Sequence, residues 1–498
     1  MNLINQSNCT RASFYSESLK ISNQSLNALL TIFGSTVTMA APSITTLQEI
    51  FEVEKLSAEQ EKAIDSLLAK KDVFLSLRTG GGKSLCYMAF PIFYEYSNSL
   101  DVQPQVLIIS PLLSIMKEQT DLLASKGFSA TFIGKDKSED VSILDGKYQF
   151  VFSSPEAILQ NDKWRDMLSG SKSFRLFVVD EAHTLVHWGE NTKHGQAFRE
   201  WFSRTGEIRS LISCPALVIT ATASKEARKV IKKRLALNNC VDIIDSPDRE
   251  NIKLFVQKLK NTVPIDETFC WLTHDLSTRK KDCPRTLIFC SSIKICADIY
   301  TAFLMVLDNS VMEFVNMFHS CTSENVKETI REDMNDDNGN IRVLIATSAA
   351  GMGVNYKGVN NVVHYSPPKD MDSFVQQLGR AGRDGSQSLH LLLYNSRHTH
   401  KLEADMKTYI ENKDKCRRLQ ILESYDSLPN VELVKHLCCD ICSQNCNCSG
   451  DCCELYQHPY FLFQSDDVSS DDNSCMSDST DLESDDVLDI DDTYPELE

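Results

Sequence analysis

The 498-residue sequence has no uninterrupted apolar run near the roughly 18–20 residues that a membrane span requires, so no spanning helix is expected. Leu26–Ala41 is partly apolar, but Thr, Gly and Ser break it and a long polar leader precedes it, which makes a poor export signal. No fixed-period repeat is visible, which argues against a solenoid. Residues 464–498 lack Lys and Arg altogether and hold fourteen Asp or Glu. That block carries most of the formal net charge of −18: without it, 55 acids (69 minus 14) face 51 bases. A body so nearly balanced can present a basic groove, so the overall charge does not exclude a nucleic-acid partner. The tail itself has the composition of a solvated, disordered segment suited to basic protein partners.

A disulfide framework is equally hard to find among the eighteen cysteines. Ten are scattered singly, several in apolar strand-like contexts such as Cys290, and eight fall within Cys416–Cys453. In a large chain without an export signal, that pattern points to a reducing compartment, the nucleus or the cytoplasm, and to a metal site.

The length suits two or three domains. Apolar runs of four to six residues recur at Val73–Leu77, Val106–Ser110, Phe150–Ser153, Leu176–Asp180 and Ala216–Thr220. A second series follows at Thr286–Cys290, Val343–Thr347, Val362–Tyr365 and Leu389–Tyr394. Runs that do not alternate fit strands buried on both faces of a parallel sheet, and the helical stretches between them make the class α/β. The expected order is two tandem parallel-sheet domains, 46–250 and 251–402, meeting in the weakly patterned stretch Ser246–Arg285. A small helical module at 403–455 carries the cysteine cluster, and 456–498 is the disordered acidic tail. Residues 1–45 read as a leader, disordered or upstream of a true start at Met39, and no further folded domain is expected beyond Cys453.

Chemistry concentrates at Thr79-Gly80-Gly81-Gly82-Lys83-Ser84, between the strand Val73–Leu77 and a helix expected over Lys83–Tyr96. Glycines there let backbone amides approach a polyphosphate at a helix N-terminus. Lys83 would pair with the outer phosphates and Ser84 would bind Mg²⁺. A neighbouring strand ends in Asp180-Glu181-Ala182-His183. Asp180 is placed to hold Mg²⁺, and Glu181 to orient the attacking water. Near the other end, Cys439-x-x-Cys442 has the spacing of a structural zinc knuckle.

Taken in order, Leu77–Met88 (LRTGGGKSLCYM), Ile109–Gln119 (ISPLLSIMKEQ), Ser153–Glu156 (SSPE), the DEAH run and Ile219–Ala223 (ITATA) resemble the motifs of the RecQ helicases. Thr347–Asn355 (TSAAGMGVN), His364-Tyr365 and Gln376–Gly385 (QQLGRAGRDG) continue the series, so the resemblance covers roughly residues 50–445. It implies two RecA-like domains with ATP between them, and 3′ to 5′ movement on DNA, both single-stranded and partly duplex, in repair or recombination. Arg380 and Arg383 match the arginines that reach the phosphates across the cleft. Gln60 matches the glutamine that reads adenine, although Ser57 stands where the family has arginine and Val53 where it has an aromatic. Trp188, Phe198 and Arg199 resemble the aromatic-rich loop that senses single-stranded DNA by base stacking. Here the loop is longer through Glu190–Ala197, and Glu190 replaces its expected histidine. The family's zinc pattern implies Cys416, His436, Cys439 and Cys442 as ligands, with Cys438 as the substitute for His436. Cys446, Cys448, Cys452 and Cys453 either bind a second zinc or form an extension beyond the pattern.

Three functions are compatible with these residues: an active DNA helicase, a translocase or annealing factor with little unwinding, and a DNA-binding scaffold that has lost catalysis. Intact Lys83, Asp180, Glu181, Arg380 and Arg383 oppose the third. If Trp188 couples DNA to hydrolysis, Trp188→Ala is expected to reduce DNA-stimulated ATP hydrolysis more than basal hydrolysis. Equal loss of both in a steady-state assay would remove the coupling role.

Overall fold

The computed structural model describes residues 44–78, 80–98, 103–187, 199–348, 356–429, 435–447 and 458–463. Two all-parallel sheets organise them. The first contains Val73–Ser76 (β1), Gln105–Ile109 (β2), Ala130–Phe132 (β3), Phe150–Ser153 (β4), Phe174–Val179 (β5), Ala216–Thr220 (β6) and Val241–Ile244 (β7). Its order is β3-β4-β2-β5-β6-β1-β7. The second contains Ile252–Lys258 (β8), Arg285–Cys290 (β9), Val315–Phe318 (β10), Val343–Ala346 (β11), Val359–Tyr365 (β12) and Ser388–Tyr394 (β13). They run in the order β10-β11-β9-β12-β13-β8.

Interior strands such as β1, β2, β4, β6, β9 and β13 are buried at every residue, as their unalternating apolar runs require. The four strands missing from the sequence reading, β3, β7, β8 and β10, are the four sheet edges. An edge strand needs less apolar surface, so its signal is weaker. Ser246–Arg285 is accordingly not one loose junction: it holds β8 and the helix Cys270–Arg279, and only 245–251 separates the two sheets.

Local chemistry sets the helix starts. Ser57 caps Ala58–Leu68 in a capping box with Gln60, Ser224 caps Lys225–Arg234, and Asp370 caps Met371–Leu378. Buried Asp72, just before β1, accepts from the Ala216 amide at 2.8 Å, Arg209 at 3.2 Å and the Asn238 amide at 3.1 Å. It thereby fixes the ends of β1 and β6 opposite the phosphate loop.

The acidic-tail assignment needs correction at its start. His458–Phe463 form a docked turn of helix, not a solvated leader into the tail. Buried Tyr460 packs edge-on to Trp271 and Phe255, Phe461 packs on Phe255, and Lys253 lies 4.7 Å from the Phe461 ring centroid. The apolar HPYFLF run outweighs the acidic composition that follows it. His458 Nε2 donates to Asn361 Oδ1 at 3.2 Å while Nδ1 accepts from the Tyr460 amide, which requires the neutral ring.

Burial, helped by Lys253 and Arg279, pushes the His458 pKa down to about 4. The released ring titrates near 6.5, so between these values the undocked state binds the extra proton. Docking is therefore at full strength above about pH 6.5 and weakens as pH falls toward 4. Hydrogen exchange of residues 458–463, corrected for intrinsic rates, is expected to lose roughly tenfold or more of its protection between about pH 7.5 and 5. Unchanged protection would refute the neutral-histidine anchor.

Candidate active site and metal centre

The strand order places β1, β6 and β5 side by side, so their carboxyl ends bring the phosphate loop next to the acidic pair. Gly80 through Ser84 turn from β1 into the helix Lys83–Asn98. Thr79 lies outside the described residues. Gly82 has φ +68°, and a Cβ there would sit 2.4 Å from Gln60 Nε2, so both backbone and space demand glycine. Gln60 is buried, not a surface residue: its Oε1 accepts from the Ser57 amide at 2.8 Å, and its Nε2 donates to Gly82 O at 3.1 Å. Lys83 Nζ donates to Leu77 O at 3.2 Å. Burial lowers its pKa, Glu181 and Asp180 work against that, and Arg380 and Arg383 reinforce it. Lys83 therefore shares one electrostatic neighbourhood with both domains' charges.

Asp180 and Glu181 follow β5 directly. Burial, and then the Glu181 charge, push the Asp180 carboxyl up. Burial works the same way on Glu181, but the hydrogen bond and charge of His183, with Lys83 and Arg380, hold it low. Two adjacent carboxylates offer oxygen ligands of the kind that hold a hard divalent cation such as Mg²⁺. Glu181 also adopts φ +48°, a left-handed conformation uncommon for a non-glycine residue and worth about 1 kcal/mol or more of strain. Its amide donates to Asp180 Oδ1 at 2.9 Å, and its carbonyl accepts from the Thr184 amide at 2.9 Å, which holds that geometry.

His183 joins this pair to the second domain. Its Nδ1 lies 3.3 Å from Glu181 Oε2 and 3.2 Å from Thr220 Oγ1, and its Nε2 lies 3.4 Å from Gln376 Nε2. His183 thus stands between Glu181 and Gln376, with Thr220 beside its Nδ1. Beyond Gln376 the chain turns through Gly379–Gly385, where burial lowers the Arg380 pKa and the Glu181 charge opposes that only in part. That turn is pinned by residues the sequence reading did not single out. Arg249 donates to Gly379 O, Ala381 O and Gly382 O at 3.1, 2.8 and 2.6 Å, and Asn251 Nδ2 donates to Gly382 O and Ser386 O at 2.8 and 2.7 Å. Both lie in the seven residues between the sheets, so the linker also shapes the arginine turn. Their only sequence signal was a polar pair in a crossing segment.

Trp188 and Phe198 lie outside the described residues, as do Cys448, Cys452 and Cys453. Arg199 is described, and its guanidinium is engaged within the protein. Its Nε and Nη2 hold both Glu156 carboxylate oxygens at 2.8 and 2.9 Å, and Nη1 donates to Pro111 O at 2.5 Å. A guanidinium so engaged ties the SSPE and ISPLL segments to the end of the aromatic-rich loop.

The metal cluster corrects one ligand. Cys416, Cys438, Cys439 and Cys442 place their sulfurs within 4.8 Å of one another, and His436 is not among them. The turn Lys435–Cys438 points its buried last residue, Cys438, at Cys416 with sulfurs 3.6 Å apart. His436 precedes Cys438 by two residues, which on a helical turn puts it on another face. Four thiolates with about 2.3 Å bonds to a tetrahedral ion lie about 3.8 Å apart, so the set fits Zn²⁺. Cys446 stands outside this set.

Two parallel-sheet domains, one with a phosphate loop and acidic pair and the other with arginines turned into the same cleft, define a helicase core. Comparisons agree: the DEAD/DEAH box helicase model matches residues 57–230, and the helicase conserved C-terminal domain model matches residues 267–385. Dbp5 of S. cerevisiae, solved with RNA and ADP BeF3, shares the fold with a TM-score of 0.56 at 17% identity over 74% of this chain and 91% of that one. Among curated relatives, ATP-dependent helicase wrn-1 of Caenorhabditis elegans is 27% identical over 82% of this chain and 39% of its own length. RecS of Bacillus subtilis, a probable ATP-dependent DNA helicase, is 29% identical over 70% and 66%. The ATP-dependent DNA helicase RecQ of Haemophilus influenzae is 27% identical over 80% and 63%. The chain thus carries the two domains of a helicase, and over most of its length it is similar to RecQ-family helicases at 27–29% identity. It spans from about two fifths to about two thirds of the length of these relatives.

Metal analysis is expected to separate the two ligand sets. Cys438→Ala should lose the bound zinc, whereas His436→Ala should keep it at the wild-type content. Zinc loss from His436→Ala would restore the set with histidine, and two zincs per wild-type chain would bring in the later cysteines.

Proposed function

We propose that the protein is an ATP-driven 3′ to 5′ DNA helicase that moves along single-stranded DNA and separates duplex, acting in repair or recombination in the nucleus. The carrying observation is the contact between His183 and Gln376, which joins the Glu181 carboxylate of one domain to the helix that leads into the arginine turn of the other. In this reading Gln60 reads the purine edge and passes its occupancy to Gly81 and Gly82. Lys83 and the loop amides hold the outer phosphates, Asp180 and Ser84 hold Mg²⁺, and Glu181 orients the attacking water. Arg380 and Arg383 stabilise charge developing on the departing phosphoryl group. Closing the cleft brings those arginines to the phosphates, and release reopens it, which advances one domain relative to the other along the strand. Zinc at the four cysteines is structural, since every ligand position is filled by protein.

A duplex with a 3′ single-stranded tail is the direct test. Wild type is expected to displace the strand with ATP and to fail on a 5′-tailed duplex. Lys83→Ala should abolish displacement, and Arg380→Ala should lower kcat for hydrolysis by about a thousandfold. Hydrolysis without displacement would favour a translocase or annealing factor, and displacement that survives Lys83→Ala would exclude an ATP-driven motor.

A further inference from the structure

Three bodies meet at one buried carboxylate that no motif reading assigns. Asp372 lies in the first turn of Met371–Leu378, the helix that also carries Gln376 and leads to Arg380. Its Oδ1 accepts from the Ser224 amide at 2.9 Å and from the Tyr425 hydroxyl at 2.7 Å, and its Oδ2 accepts from Ser224 Oγ at 3.0 Å. Ser224 directly follows the Ala221-Thr222-Ala223 segment after β6 in the first domain. Tyr425 ends the helix Arg417–Ser424 that begins beside the zinc ligand Cys416. Asp372 and Tyr425 are 6% and 3% exposed, so these hydrogen bonds are shielded from water.

A second layer supports the first. Arg228 donates to Tyr425 O at 3.4 Å and to Asp426 at 3.1 Å, and Lys225 reaches Asp426 at 3.1 Å. Both basic residues lie on the helix that Ser224 caps. The first domain therefore grips the zinc module directly, and Asp372 ties both to the helix that leads into the arginine turn. A buried carboxylate in such a place depends on its donors, because a buried polar group left without hydrogen-bond partners is costly.

We infer that Asp372 is a positioning residue that, through Tyr425 and Ser224, sets this helix against the first domain and so makes ATP hydrolysis depend on the zinc module. It touches neither nucleotide nor metal. It acts through the placement of Arg380, which lies just past the end of this helix in the turn that Arg249 and Asn251 pin. Gln60 and the phosphate loop belong wholly to the first domain, so the latch should govern the chemical step more than ATP binding. The inference rests on the ATP-driven reading of the cleft.

Tyr425→Phe tests it, since the ring still fills its site and only the hydroxyl is removed. Expected are wild-type zinc content and folding, KM for ATP within about twofold, and kcat for DNA-stimulated hydrolysis lowered about tenfold, the scale of one hydrogen bond to a buried charge. Asp372→Asn should give the same split between kcat and KM. In an Arg380→Lys background, Tyr425→Phe should bring less than about twofold further loss, because both act through the same arginine. Unchanged kcat, or a loss that multiplies fully with that of Arg380→Lys, overturns the inference. Wild-type protein that hydrolyses no ATP would instead sink the functional reading beneath it.

Discussion

The chemistry of this molecule depends on holding the helix Met371–Leu378 against the carboxyl ends of the first sheet. One end of that helix is fixed by Asp372 to Ser224, and its middle meets His183 through Gln376. Beyond its last turn, Arg249 and Asn251 fix the carbonyls around Arg380 and Arg383. Each domain alone holds only half of the hydrolytic set. In the proposed reaction, the phosphate loop and carboxylates without the arginines would leave developing charge unpaired, and the arginines without the first domain would have nothing to stabilise.

Such a contact is built from polar groups where an apolar interface would have bound more permanently. Ion pairs recur around the cysteine module that flanks this contact: Arg418 with Asp248 and Arg417 with Asp440 at 2.6 Å are buried, and Arg228 reaches the half-exposed Asp426. Desolvation offsets much of their Coulomb energy, so they add direction and register more than strength. An interface of this kind can separate and re-form without exposing a large apolar face, which is what a cleft that opens in each cycle requires.

Glycines, a lysine and paired carboxylates were legible in the sequence because their chemistry permits few other residues. The interior strands were legible for a similar reason, since burial on both faces leaves a continuous apolar run. Legibility failed where a residue's role depends on its neighbours in space. Cys438 and His436 are both plausible ligands on spacing alone, and the direction of one helical turn decides between them. The bidentate grip of Arg199 on Glu156, and its bond to Pro111 O, join segments distant in sequence, which spacing alone does not reveal. Asp372 and Arg249 are unremarkable charges in the sequence, and only the tertiary contact gives them work.

Strand β8 shows how the C-terminal segments became part of the second domain. Successive side chains of a strand point to opposite faces, and β8 uses both. On one face Lys253, Phe255 and Gln257 meet the docked residues Tyr460 and Phe461. On the other, Leu254 joins the core that includes Cys439 and Ile441, and it bridges to Cys439 through the backbone. The Val256 amide donates to Asp440 at 3.3 Å. An edge strand left open would offer unpaired amides to other chains. Here the zinc module and the docked turn cover it, which explains why β8 carries Lys and Gln among its apolar residues. With zinc bound as proposed, the cysteine cluster is more than a local staple, since it holds this edge covered and, through Arg418, the linker residues Asp248 and Arg249. Those same linker residues shape the arginine turn, so metal, sheet edge and catalytic cleft form one mechanical unit.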